Sequence, residues 1–238
     1  MITLLGPETP FPPATQALQQ PNGLLAAGAD LSPARLLNAY RQGIFPWFSE
    51  GEPVLWWCPD PRMVLYPAEF QPGRSLRKVL RNRDYLVQVD HDFAATIRAC
   101  AAPRAGAPGT WISRHMIAAY EALHALGHAH SVETWMDGQL VGGLYGVAVD
   151  GVFFGESMFS LVTDASKIAF AHLVAQLRLS GFGLLDCQMH TGHLERLGAR
   201  QIPRQLFLAE LKRLCAQPRA PGRWTLAADA ARDLPWQD

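Results

Sequence analysis

Up to residue 62 the apolar positions hold a regular period only once, in DLSPARLLNAYRQG. There Leu36, Leu37 and Tyr40 share a helical face, Ser32 can cap, Pro33 takes the first helical position and Gly43 ends the run. On either side the chain is broken by PFPP, PNG and PDPR. So short and irregular a stretch predicts a small domain over 1–62, packed on a larger one over 63–238.

After Pro67 the periods become regular. RSLRKVLRNR places Leu76, Val79 and Leu80 on one helical stripe, with Ser75 as the expected cap. A strand-like YLVQVD follows, then a helix from Asp92 to Cys100, the loop AAPRAGAPG, and a helix from Ser113 to Leu126. Two Asp-Gly pairs, Asp137-Gly138 and Asp150-Gly151, sit between β-branched and aromatic runs, which predicts a three-stranded antiparallel meander. A helix from Asp164 to Ser180, closed by Gly181, leads to a strand LLDCQMH, a short helix HLERLG and a last helix at Gln205–Cys215. A meander followed by helix, strand and helix is an α+β arrangement, one mixed sheet covered by helices.

Composition narrows the class. The chain has 238 residues, 49% hydrophobic and 18% charged, enough for a sizeable folded core. Twenty-one basic and twenty-one acidic residues cancel, so any nucleic-acid surface has to be local. The best local candidate is Arg74, Arg77, Lys78, Arg81 and Arg83, five cations in ten residues with no acid among them. A solvated helix face explains the same run. Four cysteines at 58, 100, 187 and 215 show no metal spacing, which favours a reducing cytoplasm. The first basic residue is Arg35 and no apolar run reaches membrane-spanning length, so neither a signal peptide nor a membrane anchor is expected.

Four features bear on chemistry. FPWFSEGEPVLWW at 45–57 carries five aromatics in thirteen residues, which suits either a small core or a platform on which a base stacks. Strand alternation in LLDCQMH puts Asp186, Gln188 and His190 on one face and Leu185, Cys187 and Met189 on the other. In FFGESMF, Glu156 and Met158 share a face. These polar groups form either a buried structural network or a site for a cationic ligand beside an apolar pocket. His124 and His128 have a metal-pair spacing, but Ala125 stands where a zincin has glutamate and no third ligand is evident; no metal is expected. Nucleotide-binding glycine motifs are absent.

Taken in order, PNGLLAAGADLSPARLLNAYRQGIFPWFSEGEPVLWWCPDPR, GTWISR, LGHAHSVE, VGGLYGV, GESMFS, DASK, LLDCQMHTGHLERLGA and IPR resemble the leucyl/phenylalanyl-tRNA–protein transferase family over about residues 10 to 210. The resemblance implies a cofactor-independent aminoacyltransferase. It moves Leu or Phe, less readily Met, from aminoacyl-tRNA to the N-terminal Arg or Lys of a protein, marking it for the bacterial N-degron route. It also implies a C-terminal domain related to the GCN5-type N-acetyltransferases; we take the chain as a monomer. By the same resemblance Trp47 and Trp111 hold the terminal adenosine, while Trp56 and Trp57 are assigned to packing between domains. Asp186, Gln188 and Glu156 form the catalytic site. Met158, Leu144, Phe153, Phe170, Leu173 and Leu177 form the aminoacyl pocket; the family can have methionine at 144 and phenylalanine at 173 and 177. An acyl-CoA N-acetyltransferase is disfavoured because MFSLVT, before the helix at Asp164, has no glycine turn for a pyrophosphate. A non-catalytic tRNA-binding protein leaves the three polar residues unexplained.

Overall fold

The computed structural model describes residues 2–103, 110–226 and 231, so most of the AAPRAGAPG loop and of the tail beyond 226 lie outside it. The order of elements is β1 (Thr3–Leu5), β2 (Leu24–Gly28), α1 (Pro33–Arg41), β3 (Phe45–Pro46), β4 (Leu55–Trp57), β5 (Arg62–Leu65), α2 (Arg74–Asn82), β6 (Leu86–Val89), α3 (Phe93–Ala101) and α4 (Arg114–Ala125). There follow β7 (Ala129–Met136), β8 (Gln139–Val149), β9 (Val152–Ser160), α5 (Ala165–Leu179), β10 (Leu184–Gln188), α6 (Gly192–Arg196), β11 (Arg200–Ile202) and α7 (Arg204–Leu214).

Two sheets result. The first runs β1-β2-β4-β3, and the second runs β11-β5-β10-β9-β8-β7-β6. In the second, β10 lies parallel to β9 and the other pairs are antiparallel, so it is a mixed sheet in an α+β fold. The meander stands as expected, with Asp137 and Gly138 both at positive φ, the conformation a tight hairpin turn requires. Capping side chains set three of the predicted helix starts: Ser32, Asp92 and Ser113 each accept a backbone N–H three residues on.

Two expectations fail. Ser75 does not cap α2; the helix begins two residues earlier, at Arg74 behind Gly73, with no side-chain cap bond. The segment before residue 62, read as irregular around one helix, also carries strands that the sequence did not show. Its strands have only two to five residues, too short to show a period, and pair instead through register: Leu24 with Trp57, Ala26 with Trp56, Phe45 with Trp57.

The chain passes from the first sheet to the second between Trp57 and Arg62. One apolar cluster spans both, joining Leu36, Tyr40 and Trp56 to Tyr145 and Phe154. A second fills the space between the large sheet and α2 and α5, with Leu76, Leu80, Phe170 and Leu177. Among the described residues no helix is long and apolar enough to cross a membrane.

Trp56 is fully buried, edge-on to Phe11 at 4.8 Å, with its indole N–H on the Gly28 carbonyl at 2.8 Å. Trp56→Ala is therefore expected to cost about 3–5 kcal/mol of stability in denaturant titration, as large-to-small core changes do. Trp57→Ala, at a half-buried position, is expected to cost clearly less.

Candidate active site

Glu156 owes its position to an irregularity in β9. Gly146 pairs with Gly155 and Tyr145 with Ser157, so Glu156 is the extra residue of a β-bulge. A bulge re-aims the side chain it carries. Gly146 makes room for it, since a Cβ there would collide with the Phe154 carbonyl and the Phe153 ring.

Three donors converge on the Glu156 carboxylate. Tyr40 from α1 donates to Oε1 at 2.7 Å, Tyr120 from α4 to Oε2 at 2.8 Å, and the Gln188 amide nitrogen to Oε1 at 3.0 Å. The two phenol oxygens lie 2.5 Å apart. Burial, then the Glu156 charge, holds the ionisation of Tyr40, Tyr120 and Tyr145 far above the ordinary phenol value, so all three stay protonated. Burial pushes the Glu156 carboxyl up to about 7, although the two tyrosine hydrogen bonds favour its charged form.

Gln188 is aimed by a second irregularity. Asp186 pairs with Val64 and Gln188 with Met63, so Cys187 is the extra residue of β10. Gln188 takes a left-handed conformation with φ 62°, and its backbone N–H donates to Asp186 Oδ1 at 2.9 Å. The expected alternation is broken there: Asp186 and Gln188 do not present to a common space. Asp186 is fully buried, its two oxygens held by Arg62 Nε at 2.8 Å and Nη2 at 2.6 Å. His190 lies beyond the strand, exposed, 3.3 Å from Glu195. Burial drives the Cys187 thiol far above its ordinary value, which removes it as a thiolate nucleophile.

A cavity of about 1050 Å³ opens over Glu156 and Gln188. Leu144, Met158, Phe170 and Leu173 give it an apolar wall, and Trp47 and Trp111 also line it. Two pocket residues are corrected. Phe153 leaves the same face of the sheet as Met158, but its ring covers Gly146 and packs against Trp224 at 5.5 Å. Leu177, one helical turn past Leu173, is fully buried and does not reach the cavity lining. One tryptophan is corrected too: Trp57 lines the cavity, edge-on to Trp47 at 5.5 Å, with its N–H on the Trp47 carbonyl at 2.7 Å. Trp56, by contrast, packs on Phe11 and belongs to the apolar cluster shared by the two sheets.

The basic helix borders none of this cavity. Arg74, Lys78 and Arg81 are exposed and Arg77 is half-buried. Arg83 lies past the helix end and donates to the Thr163 carbonyl at 2.6 Å, so its first role is to tie α2 to the turn before α5. His124 stacks on Phe93 at 4.4 Å, and no metal-holding cluster occurs among the described residues. Tyr40, Tyr120 and Arg62 were not foreseen as site residues. Tyr40 reads as one of three apolar positions on a helix, and nothing in PDPR marks Arg62 as the partner of a residue 124 positions away.

The raised ionisation of Glu156 has a thermodynamic consequence. Between its ordinary value of 4.5 and about 7, the folded chain retains a proton that the unfolded chain has released. The carboxyl's contribution to stability is thus complete below 4.5 and is lost as pH rises to about 7. Glu156→Gln should accordingly gain Tm relative to wild type on going from pH 5 to pH 8. A Tm difference independent of pH would contradict the assignment.

Comparison with known proteins bears on the chain as a whole. A family model described as leucyl/phenylalanyl-tRNA protein transferase matches residues 64–212, and the model of that family's N-terminal domain matches 29–60. Proteins named leucyl/phenylalanyl-tRNA–protein transferase from Nitrosomonas europaea and Nitrosospira multiformis are each 60% identical over 224 residues. These alignments cover 94% of this chain and 95% and 97% of theirs. A relative of the same name from Chromobacterium violaceum is 58% identical over 94% of this chain and 96% of its own. Among solved structures, a GCN5-related N-acetyltransferase from Kribbella flavida aligns over 71% of this chain and 60% of its own, at 14% identity and TM-score 0.37. On the family model and these relatives, the chain belongs to the leucyl/phenylalanyl-tRNA–protein transferase family and is an aminoacyltransferase.

Proposed function

We propose that this enzyme moves leucine or phenylalanine, and less readily methionine, from its tRNA to the N-terminal Arg or Lys of an acceptor protein. In this reading it acts as a monomer in the cytoplasm, without a cofactor, and the product is marked for degradation through the N-degron route. The observation that carries the proposal is an apolar cavity ending on a carboxylate–amide pair, Glu156 and Gln188. Leu144, Met158, Phe170 and Leu173 suit a large aliphatic or aromatic side chain. Trp47 and Trp111 offer flat surfaces for the terminal adenosine, a contact worth roughly 1–3 kcal/mol per stacked base. Arg74, Arg77, Lys78 and Arg81 are assigned to phosphates of the acceptor stem.

The chemistry is aminolysis of an ester that the tRNA has already activated. An α-amine with pKa near 7.7–8.0 is roughly a tenth free base at neutral pH, so proximity and a proton acceptor suffice. Glu156 fits the acceptor role, because a carboxylate with an ionisation near 7 both takes and returns a proton at working pH. The amine attacks the ester carbonyl, Glu156 takes its proton, and the departing ribose oxygen recovers it as the C–O bond breaks. With the Gln188 amide nitrogen on Glu156, the amide oxygen is left to accept from the incoming amine and align it. Asp186, locked onto Arg62 and outside the cavity, is not positioned to receive that proton.

The test is to incubate the purified protein with leucine-charged tRNA and peptides that differ only in their first residue. Peptides beginning with Arg or Lys should gain one leucine by mass, and a peptide beginning with Asp should not. Glu156→Gln should slow product formation at least about tenfold. Transfer to every peptide alike would overturn the acceptor assignment, and absence of any product would overturn the proposed reaction.

A further inference from the structure

We infer that Arg62 is a positioning residue for the transfer: it holds Asp186 in place and through it aims Gln188 at Glu156. The inference rests on Glu156 and Gln188 being the reacting pair. Arg62 lies on β5, beside the catalytic strand β10, and is fully buried. Its fork meets both oxygens of Asp186, at 2.8 and 2.6 Å. A planar guanidinium makes such a two-point contact and an ammonium does not. Phe45 from β3 and Phe207 from α7 hold the guanidinium at 4.8 and 4.5 Å from their ring centres, so the first sheet and the last helix both fix it. The Asp186 Oδ1 that accepts from Arg62 also accepts the backbone N–H of Gln188. A non-glycine residue keeps a left-handed conformation only where its surroundings impose it. Here that conformation turns the Gln188 side chain toward Glu156.

The pair also acts through charge. Glu156 is faced by Tyr40 from α1, Tyr120 from α4, Tyr145 from β8, Gln188 and Asp186 from β10, and Arg62 from β5. Burial is the main influence on its ionisation and the Tyr40 and Tyr120 hydrogen bonds oppose it; behind these, Asp186 raises it and Arg62 lowers it. Removing the cation alone leaves the Asp186 charge unopposed and moves the acid limb of the pH–rate profile to higher pH. Removing both charges returns the limb toward its wild-type position, yet the anchor of Gln188 is still lost.

The experiment compares Arg62→Lys, Arg62→Met and the double variant Arg62→Met/Asp186→Leu with wild type and Gln188→Ala. It measures kcat, the KM for aminoacyl-tRNA and the pH–rate profile. Exchange of a buried ion pair for apolar groups is commonly tolerated, so the double variant should fold. It should turn over about tenfold or more slowly, with an unchanged KM and an acid limb near the wild-type position. Arg62→Met should show the limb displaced upward, and Arg62→Lys a tenfold loss of kcat with the limb in place. A double variant or Arg62→Lys with wild-type kcat, beside an impaired Gln188→Ala, would overturn the role of Arg62. An unimpaired Gln188→Ala would instead overturn the reading of the reacting pair. If the double variant does not fold, Arg62→Lys decides by the same criterion.

Discussion

A carboxylate withdrawn from water has to be hydrogen-bonded or it takes up a proton, and Glu156 is held between those outcomes. Its hydrogen bonds come from three separate parts of the chain: Tyr40 before the first sheet is complete, Tyr120 in the middle, and Gln188 at the end of β10 in the second sheet. Those bonds favour the anion, burial opposes it, and the balance leaves the group titrating near neutrality. The apolar cluster shared by the two sheets brings Tyr40 up to Tyr145 and Phe154 and so places the first donor. In this sense the packing of the N-terminal sheet on the larger one and the chemistry of the site are the same constraint.

The second buried charge pair has the opposite character. Arg62 and Asp186 neutralise each other out of reach of the cavity, between two phenylalanine rings. A buried ion pair is a poor source of stability compared with apolar packing, and its retention points to what it positions. What it positions is the bulge at Cys187 and the turned backbone of Gln188. Two of the sheet's irregularities, at Glu156 and at Cys187, therefore aim polar side chains into one apolar cavity.

The sequence made the larger elements readable because their signals are local. Asp-Gly pairs set the first turn of the meander, and Ser32, Asp92 and Ser113 cap their helices from within three residues. The first sheet was not readable, since strands such as Phe45–Pro46 are too short to carry a period and exist only through their partners. Strand alternation misjudged Asp186 because a period of two presumes an unbroken register, and one extra residue at Cys187 breaks it. The residue pattern brought Glu156, Gln188 and the stretch holding Trp47 to attention, the resemblance added Trp111, and all four line one cavity. Phe153 and Leu177, expected beside them, do not line that cavity. Tyr40, Tyr120 and Arg62 were beyond both approaches, because a hydrogen bond across 36 to 124 residues leaves no local pattern.

The central claim is that the acceptor's proton passes to Glu156, whose ionisation burial has raised to about 7. Its most direct test is the single-turnover rate of leucine transfer against pH, with two acceptor peptides whose N-terminal amines differ in pKa, in wild type and in Glu156→Gln. The account predicts one inflection near pH 7 that is the same for both acceptors and disappears in the variant, alongside a second inflection that follows the amine. A profile in which every inflection tracks the amine, and which Glu156→Gln leaves unaltered in shape, would contradict it.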